Sequence, residues 1–237
     1  VTNLVFLAGL PRTGSTALSA ILSQNPDIYA GPNSPVCQLM GDAESSCVTA
    51  APDGAAEQLV SANRVEFKRE FLAAIPKLYY KDVTQPVVVD KCRSWIWPDN
   101  MRLIKEYVTA TPKIIVLERS KEGIIDSFRR LMVRNGERPE QAELERWVDG
   151  FFRPDGTGSV EWAKANNHGE FLFHTFDELM TDGHGVLSSI YEFCGWAPFQ
   201  HDLDHIVCQY PEDDSVHGPL FQGMHEVRPV LDYRRAA

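Results

Sequence analysis

Leu4-Val5-Phe6-Leu7-Ala8-Gly9-Leu10-Pro11-Arg12-Thr13-Gly14-Ser15-Thr16 is the stretch on which the fold turns. The apolar run Leu4 to Ala8 reads as a buried strand, and a turn containing Gly and Pro follows it. Thr16 to Ser23 then reads as a short helix that ends before Asn25-Pro26. Gly9 and Gly14 have the spacing of a phosphate-binding loop, in the strand–turn–helix setting that such a loop requires. Consecutive backbone N–H groups with a helix N-terminus behind them form an anion cradle, to which Ser15 and Thr16 add hydroxyls. A nucleoside triphosphatase carries Lys where this chain has Ser15, and here a cation stands inside the loop instead, at Arg12. The loop is therefore expected to hold a phosphate without the lysine that serves a γ-phosphate beside magnesium.

Working outward, Ile28-Tyr29-Ala30 reads as a brief strand, and Val87-Val88-Val89, Ile114 to Leu117 and Phe171-Leu172-Phe173 as further buried strands. Helices are predicted over Arg64 to Ile75, with Pro76 as a stop or kink, and over 139–150. Met101, Ile104 and Val108 fall at helical spacing, and a further helix ends at Gly195 as its C-cap. Ser120 is placed to cap a helix whose apolar positions 124, 125, 128, 131 and 132 form one stripe. Residues 41–57 and 153–159 read as loops, the first as a lid over the site or as a simple connection. Strands alternating with helices predict an α/β fold of three layers, a central parallel sheet flanked by helices. With 237 residues and no repeat, linker or shift in composition, residues 1–237 are expected to form one domain. Ligands in such sheets bind beyond the carboxyl ends of the strands, so the chemistry is expected after residues 8, 90 and 118.

Composition bounds the partners. Lys and Arg total 23 against 33 Asp and Glu, a net charge of −10. That balance argues against a dedicated binder of nucleic acid or of anionic membranes, yet leaves room for one basic pocket. No apolar run approaches the ~20 residues of a membrane span, and no signal-peptide core is present, so a cytoplasmic location is expected. The five cysteines, odd in number and irregular in spacing, are read as free thiols, with Cys37–Cys47 the one bridge considered.

A second phosphate grip stands after the strand Ile114 to Leu117. Arg119 lies at its carboxyl end and Ser127 is eight residues further on, on one helix face with the small Gly123. Arg and Ser together suit a phosphate, the Arg through charge-assisted hydrogen bonds.

The two grips together resemble the sulfotransferase family. GLPRTGST is similar to its 5′-phosphosulfate loop, and LERSKEGIIDSF to its 3′-phosphate motif, an Arg followed eight residues later by a Ser. VVVDKCRSW, FHTFDELMTD, EDDSVHG and GMHEVRPVL resemble, in order, the later segments of small bacterial and phage members. The loop Arg is similar to that of tyrosylprotein sulfotransferases. The resemblance implies a P-loop-like, sulfotransferase-type nucleotide-binding fold. It also implies transfer of a sulfuryl group from 3′-phosphoadenosine 5′-phosphosulfate (PAPS) to a hydroxyl or amine acceptor, with the bisphosphate PAP as product and no metal required. Carried over residue by residue, it assigns Thr13, Gly14, Ser15 and Thr16 to the 5′-phosphate and Arg119 and Ser127 to the 3′-phosphate. Arg12 falls at the bridging oxygen and Lys91 at the sulfuryl oxygens, and Arg228 closes over the phosphates. The acceptor is a small molecule, glycan or peptide, and the protein a monomer or homodimer, with no nucleic acid or membrane partner.

The chain departs from its relatives at the base. Tyrosylprotein-type members carry Glu where Asn33 stands, and Asn takes no proton near neutral pH. His217 is the favoured base and His225 the alternative, with Asn33 and Ser34 lining the acceptor pocket. Phe176 replaces a Tyr found near the nucleotide in related enzymes. A P-loop small-molecule kinase and a non-catalytic nucleotide-binding relic are the competing readings. Ser15 argues against the first and Asn33 favours the second. Val87 to Asp90 imitates a magnesium-binding strand. The residues from His201 to His205 imitate a metal pair. Glu212-Asp213-Asp214 reads as a charged turn, and Trp95 and Trp97 as packing or pocket wall.

Overall fold

A computed structural model describes residues 3–49, 51–152 and 160–231. Five parallel strands form its sheet: β1 (Asn3–Gly9), β2 (Ile28–Asn33), β3 (Val87–Lys91), β4 (Ile114–Glu118) and β5 (Phe171–Thr175), in the order β2-β3-β1-β4-β5. β1 is central, hydrogen-bonded to β3 on one side and β4 on the other. The chain thus leaves β1 for one edge through α1 (Ser15–Leu22) and later crosses it to build the other edge. The crevice at such a reversal of strand order is where this class of sheet binds ligands.

Both faces of the sheet are buried, because side chains alternate along a strand. Phe6 and Ala8 point into one cluster with Val88, Ile114, Val116 and Trp95. Val5 and Leu7 point into the other, with Val89, Ile115 and Leu117, and helices α1 and α10 (Gly183–Cys194) cover it. A third cluster joins α6 (Lys121–Arg134) to α7 (Gln141–Phe152) through Ile124, Phe128, Leu131, Leu144 and Val148. Ser120 caps α6 by accepting from the Gly123 N–H at 3.1 Å, and Gly195 ends α10 in the left-handed conformation, φ 69°.

The segment 41–57, read as a loop, is mostly helical: α2 (Val36–Val48) runs into it and α3 (Ala55–Ser61) closes it. Val36, Cys37 and Met40 anchor α2 in the core, and from that anchor its exposed second half, GDAESSCV, continues as helix. The polar composition of 41–48 marks a solvated helix face. Pro76 lies inside α4 (Phe67–Tyr79) without ending it. Met101 belongs to α5 (Pro98–Leu103), whereas Ile104–Val108 tightens no further and forms a π-helical turn. The loop predicted over 153–159 lies outside the described residues. Two short helices, α8 (Val160–Ala165) and α9 (Phe176–Thr181), flank β5. No helix among the described residues is long and apolar enough to cross a membrane.

Candidate active site

The carboxyl ends of β1, β3 and β4 frame a cleft of about 850 Å3. Its floor is the loop after β1. Gly9 takes φ 145°, and a Cβ there would stand 2.5 Å from the Leu117 carbonyl oxygen and 2.9 Å from Thr13 Oγ1. Only glycine lets β1 turn this close to β4. Gly14 (φ 94°) starts α1 without a side-chain cap, and the first intrahelical bond is Leu18 N–H to the Gly14 carbonyl at 3.0 Å. The N–H groups of Ser15, Thr16 and Ala17 therefore precede the helical ladder, in residues that line the cleft. Thr13 is buried and its hydroxyl is spent inside the loop, on the Leu10 carbonyl at 2.8 Å.

Arg12 adopts φ 68°, a left-handed conformation uncommon outside glycine. That turn sends its guanidinium across the cleft, where Nε donates to Ser127 Oγ at 2.9 Å and Nη1 to the Met224 carbonyl. Arg119 Nη1 donates to the Arg12 carbonyl at 2.9 Å, while its guanidinium carbon lies 3.9 Å from the centre of the Phe176 ring. The loop after β1 and the Arg119–Ser127 segment thus meet as one assembly. Phe176 supplies a platform for Arg119 and packs against Gly14. Burial, and then the like charges of Arg119 and Arg134, lower the Arg12 pKa to about 10. Arg228 also lines the cleft.

Lys91, at the end of β3, is almost wholly buried, and Nζ donates to Glu212 Oε1 at 2.6 Å and Thr16 Oγ1 at 3.4 Å. Glu212 Oε2 accepts from Asn33 Nδ2 at 2.9 Å and lies 3.6 Å from His225 Nε2. On its other edge His225 Nδ1 stands 2.5 Å from Asp214 Oδ1, and the His225 backbone N–H donates to Asp214 Oδ2 at 2.9 Å. Burial raises the Asp214 carboxyl, but these His225 bonds outweigh it and hold the group below the usual range. His217 is exposed at the rim, its ring centre 5.9 Å from that of His225. Asp214, His217 and His225 are the group with metal-ligand chemistry among the described residues, their ligand atoms within 4.8 Å of one another. Both Asp214 oxygens are already engaged by His225.

Arg12, Gly14, Ser15, Thr16, Asn33, Lys91, Arg119, Ser127, His217, His225 and Arg228 all line the cleft. Thr13 and Ser34 do not: Thr13 is enclosed within the loop, and Ser34 is buried with its hydroxyl donating to Asp90 at 2.7 Å. Asp90 is wholly enclosed, and it also accepts from Tyr80 Oη at 2.8 Å and Trp95 Nε1 at 2.7 Å. It is a structural carboxylate, and Trp95 is core. His201 is buried with its Nε2 2.9 Å from Tyr191 Oη, whereas His205 is exposed and pairs with Asp202, so the two do not converge. Missed in the sequence were Glu212 and Asp214, dismissed with their turn, and Arg130 and Arg134, which line the cleft. The arginines were within reach: Ser127, Arg130 and Arg134 follow the i, i+3, i+7 rhythm of one helix face.

No curated protein is similar enough in sequence to match. Among solved structures, the sulfotransferase domain from the curacin biosynthetic pathway is 16% identical over 100% of this chain and 82% of its own, with a TM-score of 0.54. The sulfotransferase domain of the Synechococcus PCC 7002 olefin synthase is 19% identical over 99% and 86%, TM-score 0.56. A sulfotransferase from Alicyclobacillus acidocaldarius is 15% identical over 94% and 91%, TM-score 0.56. At these identities the likeness is one of fold: the parallel α/β sheet expected from the sequence. The model of the sulfotransferase family (Sulfotransfer_3) matches residues 5–201, from the first strand past the last helix of the sheet layers. That match spans most of the chain, and the chain belongs to the sulfotransferase family.

Proposed function

We propose that this enzyme transfers the sulfuryl group of PAPS to a hydroxyl, or amine, of an acceptor by in-line displacement at sulfur. The observation that carries the reading is the loop with Ser15 in the lysine position, opening onto a cleft where Arg12, Arg119, Arg130, Arg134 and Arg228 gather in a chain of net charge −10. Such a cleft fits a nucleotide with phosphates at both ends of its ribose and no γ-phosphate. In the transfer, a bond forms from the acceptor oxygen to sulfur, the bond from sulfur to the bridging oxygen breaks, and the electron pair leaves with PAP.

The residues divide this work. The N–H groups and hydroxyls of Ser15 and Thr16, with the backbone of Thr13 and Gly14, hold the 5′-phosphate. Arg119 and Ser127 hold the 3′-phosphate, and Arg228 closes the rim. Arg12 and Lys91 stabilise the charge that grows on the leaving oxygen, a role in which fixed cations are worth several kcal/mol. For the proton, the geometry supports His225 over His217. Asp214 orients its Nδ1 edge and leaves Nε2 toward Asn33 and Glu212, whereas His217 stands exposed. The acceptor therefore enters on the Asn33 side of the cleft.

Calorimetry tests the reading. PAP is expected to bind without metal, and more tightly than ATP with magnesium. The reverse order would turn the assignment toward a small-molecule kinase.

A further inference from the structure

Glu212 joins the two halves of the site. One oxygen holds the Lys91 ammonium at 2.6 Å and the other is fixed by Asn33 at 2.9 Å. The side chains of Lys91 and Glu212 are only 3% and 10% exposed, so the pair is shielded from solvent. Lys91 is rooted in a central strand, and its Nζ also touches Thr16 of the phosphate loop. Glu212 instead comes from the irregular chain between α10 and the short 3-10 turn Asp214–His217. A buried ammonium needs an anion, and among the described residues Glu212 is the one carboxylate within ion-pair distance of Lys91.

We propose that Glu212 is the resident counter-ion of Lys91 when no donor is bound, and that it competes with the donor's sulfuryl oxygens for the lysine. This rests on the reading of Lys91 as the sulfuryl contact. The Lys91 ammonium exchanges one anion for another as the donor enters. Glu212, released from Lys91, then keeps only its contacts to Asn33 and the neighbourhood of His225, on the acceptor side. Loss of the sulfuryl group to the acceptor returns Lys91 to Glu212, so the product PAP is held without the lysine contact that the donor has. A purely structural counter-ion would behave differently: removing its charge would leave the lysine unplaced and weaken the donor.

The test compares PAPS with PAP, which carry the same formal charge when fully ionised, so that general field effects cancel in the ratio of their affinities. Binding of each is measured by calorimetry without acceptor, with the integrity of PAPS checked by mass, for wild type, Glu212→Gln, Glu212→Ala and Lys91→Met. Melting curves confirm that each variant is folded. Glu212→Gln, which keeps the shape and loses the charge, is expected to tighten PAPS about tenfold and to leave PAP within about twofold. Glu212→Ala should shift the ratio in the same direction. Unchanged or weakened PAPS binding in both variants, or equal tightening of both ligands, would overturn the proposal. Lys91→Met separates the two levels: it should weaken PAPS more than PAP. If it weakens them equally, the assignment of Lys91 itself fails, whatever Glu212 does.

Discussion

Replacement of Arg119 by Ala separates the two ends of the nucleotide. In the structure Arg119 does two things that concern any ligand of the loop. It donates to the Arg12 carbonyl at 2.9 Å and stacks at 3.9 Å on Phe176, which packs against Gly14. Losing that support is worth about 1 kcal/mol, or about fivefold in affinity, and falls equally on 5′-AMP and PAP. The guanidinium also faces the cleft, where the 3′-phosphate of PAP adds a charge-assisted hydrogen bond of ~1.5–3 kcal/mol, roughly 10- to 150-fold. 5′-AMP has no such phosphate. Titration calorimetry of both ligands against wild type and variant is expected to show a loss of about fivefold for 5′-AMP, and a further loss of at least about tenfold for PAP. Arg119→Lys should keep part of the 3′ contribution, because the charge remains while the planar fork is lost. Equal losses for the two ligands would refute the reasoning, since Arg119 would then be a brace of the loop and nothing more.

Two other expectations follow from the geometry. Gly9→Ala places a Cβ 2.5 Å from the Leu117 carbonyl at a φ of 145°, so β1 and β4 must part. Destabilisation by at least ~1–3 kcal/mol is expected, read as a lowered melting temperature; a melting curve matching wild type would contradict the close approach. Cys92 lines the cleft next to Lys91, and its thiol pKa is pushed down, first by the Cys37 side chain and further by Ser94, whose Oγ lies 3.1 Å away, against the opposing effect of burial. A lowered thiol pKa raises the share of reactive thiolate at neutral pH, and that share falls as the pH drops. Iodoacetamide labelling followed by peptide mass should therefore modify Cys92 ahead of Cys194, whose burial pushes its thiol up to about 12. The rate should fall as the pH is lowered, and PAP should slow it. Preferential labelling of Cys194 would sink the assignment.

What the sequence made legible was local and periodic. The strand–turn–helix after β1 could be read because its glycines, strand and helix are adjacent, and Gly9 is required by the close approach of β1 to the Leu117 carbonyl. Arg119 and Ser127 could be read as a pair because both follow β4 closely, one at the strand's end and the other in the helix after it, and the cap at Ser120 because it acts over three residues. The acceptor side was hidden for the opposite reason. Glu212 meets Asn33 across 179 positions and Lys91 across 121, and no spacing in the chain foretells such a meeting. A Glu-Asp-Asp triplet is most often a solvated turn. Here Asp213, the middle member, does play that role by accepting from the Ser215 N–H at 3.0 Å, while its neighbours on either side bond to Lys91 and His225. Helix α2 was missed because its anchors, Val36, Cys37 and Met40, precede the polar stretch that was judged by composition alone.

The net charge of −10 looks at odds with a ligand as anionic as PAPS, and the distances resolve the conflict. Charges beyond ~8–10 Å are screened at ordinary ionic strength, so the many exposed carboxylates matter little to an anion inside the cleft. What counts is the set of groups lining it. There burial, and after it the like charges of Arg119 and Arg134, lower the pKa of Arg12 to about 10, which still leaves it charged at neutral pH. That repulsion is a cost the folded protein carries before any ligand arrives, and a polyanion relieves it. The contrast with Lys91 is instructive, because there the charge is already neutralised by Glu212. The cleft is thus prepared unevenly. Its phosphate end is left repelling itself and ready for an anion, whereas the lysine assigned to the sulfuryl group has a resident carboxylate to displace. An enzyme that must bind donor, transfer one group and release the remainder gains from that asymmetry: the phosphates supply the affinity, and the point of transfer is held by a contact that one group can replace.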